Sequence, residues 1–185
     1  MKMKALQSKE FKTAIDKDLL KVNRWNDTVD TDLFNSVVLN KDTPLYTQGL
    51  PVYDTKTITI NDTAYALTVL YNPYIVASVG CMIAICCYNC FNQVVVFVDD
   101  RFMSLSEDAK TFTINHELGH LYHRHYSMIA TTRTLDNEHA ADSYACTKSN
   151  SNTAIKALKE IKSLLKGFKY LKSRKELNLR IKALS

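Results

Sequence analysis

All five histidines of this 185-residue chain fall between His116 and His139, and two of them stand four apart in His116-Glu117-Leu118-Gly119-His120. Side chains at that interval lie one above the other on an α-helix, so both imidazoles can face one tetrahedral ion. Two imidazoles do not complete a metal site, and a second element has to bring the remaining ligand across. The chain must therefore fold so that a helix near residue 118 is pressed against another ligand-bearing segment. Ser104-Leu105-Ser106-Glu107 reads as a capping box for that helix, with Ser104 offering its hydroxyl and Glu107 reaching back. The spacing predicts a helix over about 105 to 127 whose one face carries Ala109, Phe112, His116, His120 and His123.

The ligand-bearing partner is expected in Glu138-His139-Ala140-Ala141-Asp142-Ser143-Tyr144-Ala145, within a helix over about 137 to 147 that follows a loop through Thr131 to Leu135. Glu138 and Asp142 are again four apart, on a face that also carries Ala141 and Ala145, and small side chains let two helices approach closely. Spacing alone permits either carboxylate as the third ligand. The longer side chain of Glu138 selects it, leaving Asp142 to accept a hydrogen bond from the outer nitrogen of a ligand histidine. Glu117, one step round the helix from His116, can touch a metal-bound water without being a ligand, which is the placement a general base needs. His123 reads as a supporting residue. His125 falls on the opposite side of the predicted helix from His116, and His139 points away from the site into solvent.

Composition bounds the alternatives. Hydrophobic residues make up 46% and charged residues 23%, which excludes an acidic disordered chain, a collagen-like repeat and a disulfide-dense miniprotein. The length suits one domain over 1–185, and 4 Gly with 3 Pro leave no room for a long linker. Five cysteines, an odd number, and an N-terminus without an apolar run point to a reducing, cytoplasmic setting. Cys86, Cys87 and Cys90 contain one CxxC without a second pair, so they read as buried thiols. Thr63 to Val98 carries no charge, yet its most apolar part, Ile75 to Tyr88, is 14 residues long, too short to span a bilayer. Buried strands account for it.

Thr57 to Ile60, the turn Asn61-Asp62 and Thr63 to Tyr71 form a hairpin pattern, and Val94 to Val98 is the clearest strand. Residues 1 to 60 are poorly readable beyond a helix near 5 to 22. In the tail, after a loop over Ser149 to Thr153, Ile155, Leu158, Ile161, Leu165 and Phe168 share one face of an amphipathic helix, and Ser173 with Glu176 offers a capping box for a last one. Residues 148 to 185 hold 11 of the 24 basic side chains against Glu160 and Glu176 alone, a net +9, while the rest of the chain has 13 basic and 17 acidic residues. Lysine-rich outer faces of helices explain this; contact with nucleic acid or an anionic membrane surface is the functional reading.

HELGH followed by E-x-x-A-D resembles the gluzincin metallopeptidases, over about residues 89 to 185. Two branches share the likeness. The HtpX and CAAX-prenyl-protease type is similar in Asn89-Cys90-Phe91, Ser106-Glu107-Asp108, HELGHLYHRH and Arg180-Ile181 with Leu184, although the His-Pro that often precedes this last pattern is missing. The ImmA/IrrE family is similar in Lys110 to Asn115 before His116 and in Glu138-x-x-Ala141-Asp142-x-Tyr144-Ala145. The resemblance implies an α+β, zincin-like fold, a small mainly antiparallel sheet with helices on one face. It also implies one zinc ion per chain on His116, His120 and Glu138, and hydrolysis of peptide bonds in a protein or peptide substrate with Glu117 as general base. In such peptidases the strand before the active-site helix is a sheet edge that takes up extended substrate, a role falling to Val94, Val95, Val96 and Phe97. Tyr144, Tyr170 and Arg180 are the candidates for a donor to the developing oxyanion. The alternative reading is a regulatory zinc-site protein, weak or inactive as a peptidase, whose basic tail binds nucleic acid or a repressor.

Overall fold

The computed structural model describes residues 51–73, 76, 83–88, 92–125 and 134–185. The expected N-terminal helix, Asn89-Cys90-Phe91 and most of the loop before Leu135 lie outside them. The fold is α+β. The chain divides into two compact units, Met1–Asp99 and Asp100–Ser185. The division follows the secondary structure: the last strand ends at Val98, and beyond Asp99 the described backbone bonds locally in helices.

The first unit holds one sheet of β1 (Val52–Ile60), β2 (Thr63–Tyr71), β3 (Ala84–Tyr88) and β4 (Gln93–Val98), in the order β1-β2-β4-β3. Asn61 (φ 49°) and Asp62 (φ 60°) form the two-residue hairpin turn between β1 and β2, a left-handed pair that Asn and Asp tolerate. The β1–β2 and β3–β4 pairings are antiparallel, but β2 runs parallel to β4, so the sheet is mixed. This corrects one expectation. Val94, Val95, Val96 and Phe97 lie between β2 and β3 with both sides hydrogen-bonded, and offer no edge for a substrate strand. The cause is legible in their burial: all four are at most 3% exposed, and a strand apolar on both faces belongs in a sheet interior.

The second unit is helical: α1 (Asp100–Met103), α2 (Glu107–Tyr122), α3 (Leu135–Thr147), α4 (Ser151–Leu164), a 3-10 turn (Phe168–Tyr170) and α5 (Leu171–Leu184). Ser106, rather than Ser104, caps α2, its Oγ accepting from the Ala109 amide at 3.4 Å. Ser104 instead donates to the Asp100 carbonyl (2.9 Å). The acid that completes the cap comes from α4: the Glu160 carboxylate accepts from both the amide and the hydroxyl of Ser106, each at 2.6 Å, while Glu107 pairs with Lys110. Thr134 caps α3 and Asn150 caps α4, so Ser151 to Thr153 are helical rather than loop. Ser173 lies inside α5, which has no side-chain cap. Leu158, Ile161 and Leu165 are buried as expected, but Phe168 is 89% exposed. The helical period stops at Leu164 and Gly167 turns the chain with φ 96°, so the inward face does not extend to residue 168.

Helices α2 and α3 meet backbone to backbone at Gly119 and Ala141. A Cβ on Gly119 would stand 2.8 Å from both Cα and O of Ala141, closer than real contacts allow. Gly119→Ala should therefore displace α3, destabilise the unit by about 1–3 kcal/mol, as overpacking does, and weaken metal binding at the same time. Thermal melting and metal titration of the variant check this; an unchanged affinity would mean that the close approach is not what positions α3.

Candidate metal centre

The cap on α2 and the close Gly119–Ala141 contact place His116 and His120 opposite Glu138 and Asp142. His116 Nε2 lies 3.2 Å from His120 Nε2 and 3.3 Å from Glu138 Oε2, and His120 Nε2 lies 3.6 Å from Glu138 Oε1. Donor atoms of these three residues all fall within 4.8 Å of one another, and the group can hold a metal ion. The dimensions fit one. The edge of a tetrahedron is about 1.63 times its centre-to-corner distance, so bonds of about 2.0–2.1 Å place donors roughly 3.3–3.4 Å apart. Two imidazoles and a carboxylate suit a borderline transition metal better than magnesium or calcium, which prefer all-oxygen shells.

The carboxylates are held from behind. Arg180, on α5, donates through Nε to Asp142 Oδ2 (2.8 Å), through Nη2 to Asp142 Oδ1 (2.6 Å) and through Nη1 to Glu138 Oε2 (2.9 Å). It is 4% exposed, and Glu138 and Asp142 are 2% and 1%. Arg180 was a candidate oxyanion donor; instead each guanidinium nitrogen engages a carboxylate, because a buried Glu–Asp pair needs a compensating charge. Asp142 Oδ1 also accepts from His116 Nδ1 at 2.8 Å. That bond keeps the proton on Nδ1 and leaves Nε2 for an ion.

His125 is a second correction. Helix α2 ends at Tyr122, and Arg124 adopts φ 59°, which folds the chain back. His125 Nδ1 thereby comes within 3.0 Å of His120 Nδ1 instead of lying across the helix. His123 is exposed, its ring stacked on that of His125 at 5.4 Å. His139 is half-buried rather than solvent-facing. Of the remaining oxyanion candidates, the Tyr170 hydroxyl accepts from Arg101 (3.4 Å), and Tyr144, off the ligand face of α3, packs its ring on Tyr122 (4.9 Å). Glu117 is half-buried beside His116 on α2.

The charges are coupled. Burial is the largest influence on His116 and disfavours its charged form, as does Arg180; hydrogen bonds to Asp142 and Glu138, with the charge of Asp142, outweigh both and raise its pKa to about 9. Burial likewise opposes ionisation of Asp142, yet the bonds from Arg180 and His116 bring it down to about 2. Comparison of the chain with family models, curated proteins and solved structures finds no match.

Arg180 has one sequence signal: it stands three residues from buried Leu177, on the inner face of its helix. A cation on an apolar face implies a buried acid to receive it.

Two measurements follow from this geometry. Raised pKa at His116 means that its charged form stabilises the metal-free fold fully below its ordinary 6.5, and that this contribution is lost as pH rises through about 9. Lowered pKa at Asp142 contributes above 3.8 and is lost as pH falls through about 2. A bound ion takes the place of the His116 proton, so metal binding at neutral pH should release about one proton and tighten with rising pH; calorimetry in buffers of different ionisation enthalpy reads this. No proton release would show His116 to be neutral beforehand. In a metal titration, Glu138→Ala should abolish tight binding, whereas Asp142→Ala should weaken it by roughly 10- to 100-fold. The reverse ranking would make Asp142 the ligand.

Proposed function

We propose that the chain is a zinc-dependent endopeptidase with a zincin-like helical unit of the gluzincin type. The observation that carries this reading is the donor triangle of His116, His120 and Glu138, with edges of 3.2–3.6 Å, beside Glu117 on the same helix. Three protein ligands leave a tetrahedral ion one open position, the arrangement of catalytic rather than structural zinc sites. Zinc bound there supplies Lewis acidity, polarising a scissile carbonyl and making water acidic near neutral pH.

The side chains divide the remaining work. Glu117, too far round α2 to join His116 and His120 as a ligand, takes a proton from the attacking water and returns it to the leaving nitrogen. Asp142 and Arg180 fix the ring of His116 and the carboxylate of Glu138, so that neither has to reorganise during a turnover.

Metal analysis together with cleavage of an unfolded protein tests the proposal. The wild-type chain should carry about one zinc and cut the substrate. Glu117→Gln should keep the metal and lose activity by about 10²- to 10⁴-fold, the usual worth of a general base. Loss of zinc with cleavage intact would reverse the assigned roles, and a zinc-loaded wild type that cuts nothing would sink the peptidase reading.

A further inference from the structure

Helix α5 has two faces of different character. Its inner side carries Leu177, 1% exposed, and Arg180, which reaches the metal centre. On its outer side Leu171, Lys175, Leu179 and Lys182 follow one another at three- and four-residue steps, and all four are exposed. Lys172 flanks them, also exposed, and the turn just before the helix presents Phe168 at 89% exposure. Leu179 is 51% and Leu171 38% exposed. Apolar and cationic side chains thus alternate on one surface, and no acidic residue occupies the stripe itself. The segment containing it, residues 148 to 185, has a net charge of +9.

We propose that this surface, Phe168 with the outer face of α5, docks on a lipid bilayer carrying anionic headgroups. Charge selects the partner's sign, and the apolar side chains select its kind. An interfacial helix sinks its aromatic and aliphatic side chains to the headgroup–acyl boundary, while lysines reach back to the phosphates. Nucleic acid would satisfy the lysines but would leave Phe168, Leu171 and Leu179 in water. A second copy of the chain would set Lys175 and Lys182 against like charges. The docking surface is independent of the peptidase reading, and its test uses no catalytic readout.

The full-length protein is sedimented with vesicles of phosphatidylcholine, with and without phosphatidylserine. Binding should require phosphatidylserine and weaken as salt is added. Phe168→Ser should reduce the affinity about tenfold, the worth of burying one aromatic side chain. Replacing Lys172, Lys175 and Lys182 together by Gln should reduce it about a hundredfold, from about fivefold per lysine near an anionic surface. Both variants should keep the wild-type zinc content and melting temperature, because the altered side chains are exposed. In Phe168→Trp the added indole should shift to the blue on vesicle addition, read against a wild type whose one tryptophan is Trp25. No binding to phosphatidylserine vesicles would overturn the proposal. So would binding indifferent to Phe168→Ser, tight binding of duplex DNA with the same indifference, or a dimer that Phe168→Ser dissociates.

Discussion

One guanidinium holds the helical unit in its working arrangement. Arg180 reaches from the last helix to both carboxylates of α3, and through Asp142 it bears on His116 of α2. Three helices distant in sequence are thus tied at a point where every partner is almost fully buried. Buried charges are tolerated only when paired. Removal of any member leaves the others uncompensated, so the cluster specifies one packing of α2, α3 and α5 rather than merely adding attraction. The raised pKa of His116 belongs to the same balance. With His116 protonated and both carboxylates ionised, the guanidinium and the imidazolium balance Glu138 and Asp142 charge for charge. A divalent ion that displaces the imidazolium proton would leave the cluster with one positive charge.

Distance then decides which chemistry the cluster can serve. Glu138 reaches the Nε2 atoms of both histidines only because the backbones of α2 and α3 nearly touch at Gly119 and Ala141. The glycine within the His-Glu-Leu-Gly-His run is there for the partner helix, not for local flexibility: α2 continues through it as regular helix. Ala141 and Ala145, both fully buried, keep the rest of the contact thin. With larger side chains along this seam the Glu138 carboxylate would fall short of the imidazoles, and the same three ligands would make no site.

What could be read in the sequence was what a single helix determines. His116 with His120, and Glu138 with Asp142, share a face by spacing alone, whereas the caps at Thr134 and Asn150 went unread and both helices start earlier than expected. The strands of the hairpin were equally plain, because Asn61 and Asp62 announce the turn. Strand neighbours were not: the run Val94–Val98, apolar on both faces, speaks for a sheet interior, but its own residues do not say which strand closes its second side. Helix ends failed for a related reason. A face extrapolated past its last turn put Phe168 inside and His125 across the helix from His116, whereas Gly167 and Arg124 take positive φ and redirect the chain. Arg180 resembled an oxyanion donor because its partners, the buried Glu138 and Asp142, lie 42 and 38 residues earlier.

The redirected turn at Arg124 makes the two ligand histidines unequal. His116 donates its Nδ1–H as a hydrogen bond to a carboxylate already clamped by arginine, which raises the basicity of its Nε2 and fixes the ring. His120 faces another imidazole. Burial, with the charge of His123 added, lowers the pKa of His125, so that ring stays neutral and its Nδ1 can accept from His120. Both ligands therefore turn Nε2 toward Glu138, one through a charged partner and the other through a neutral one. A second carboxylate in the place of His125 would give the metal-free cluster a negative charge with no guanidinium to balance it. An imidazole orients His120 without altering the charge balance that Arg180 maintains.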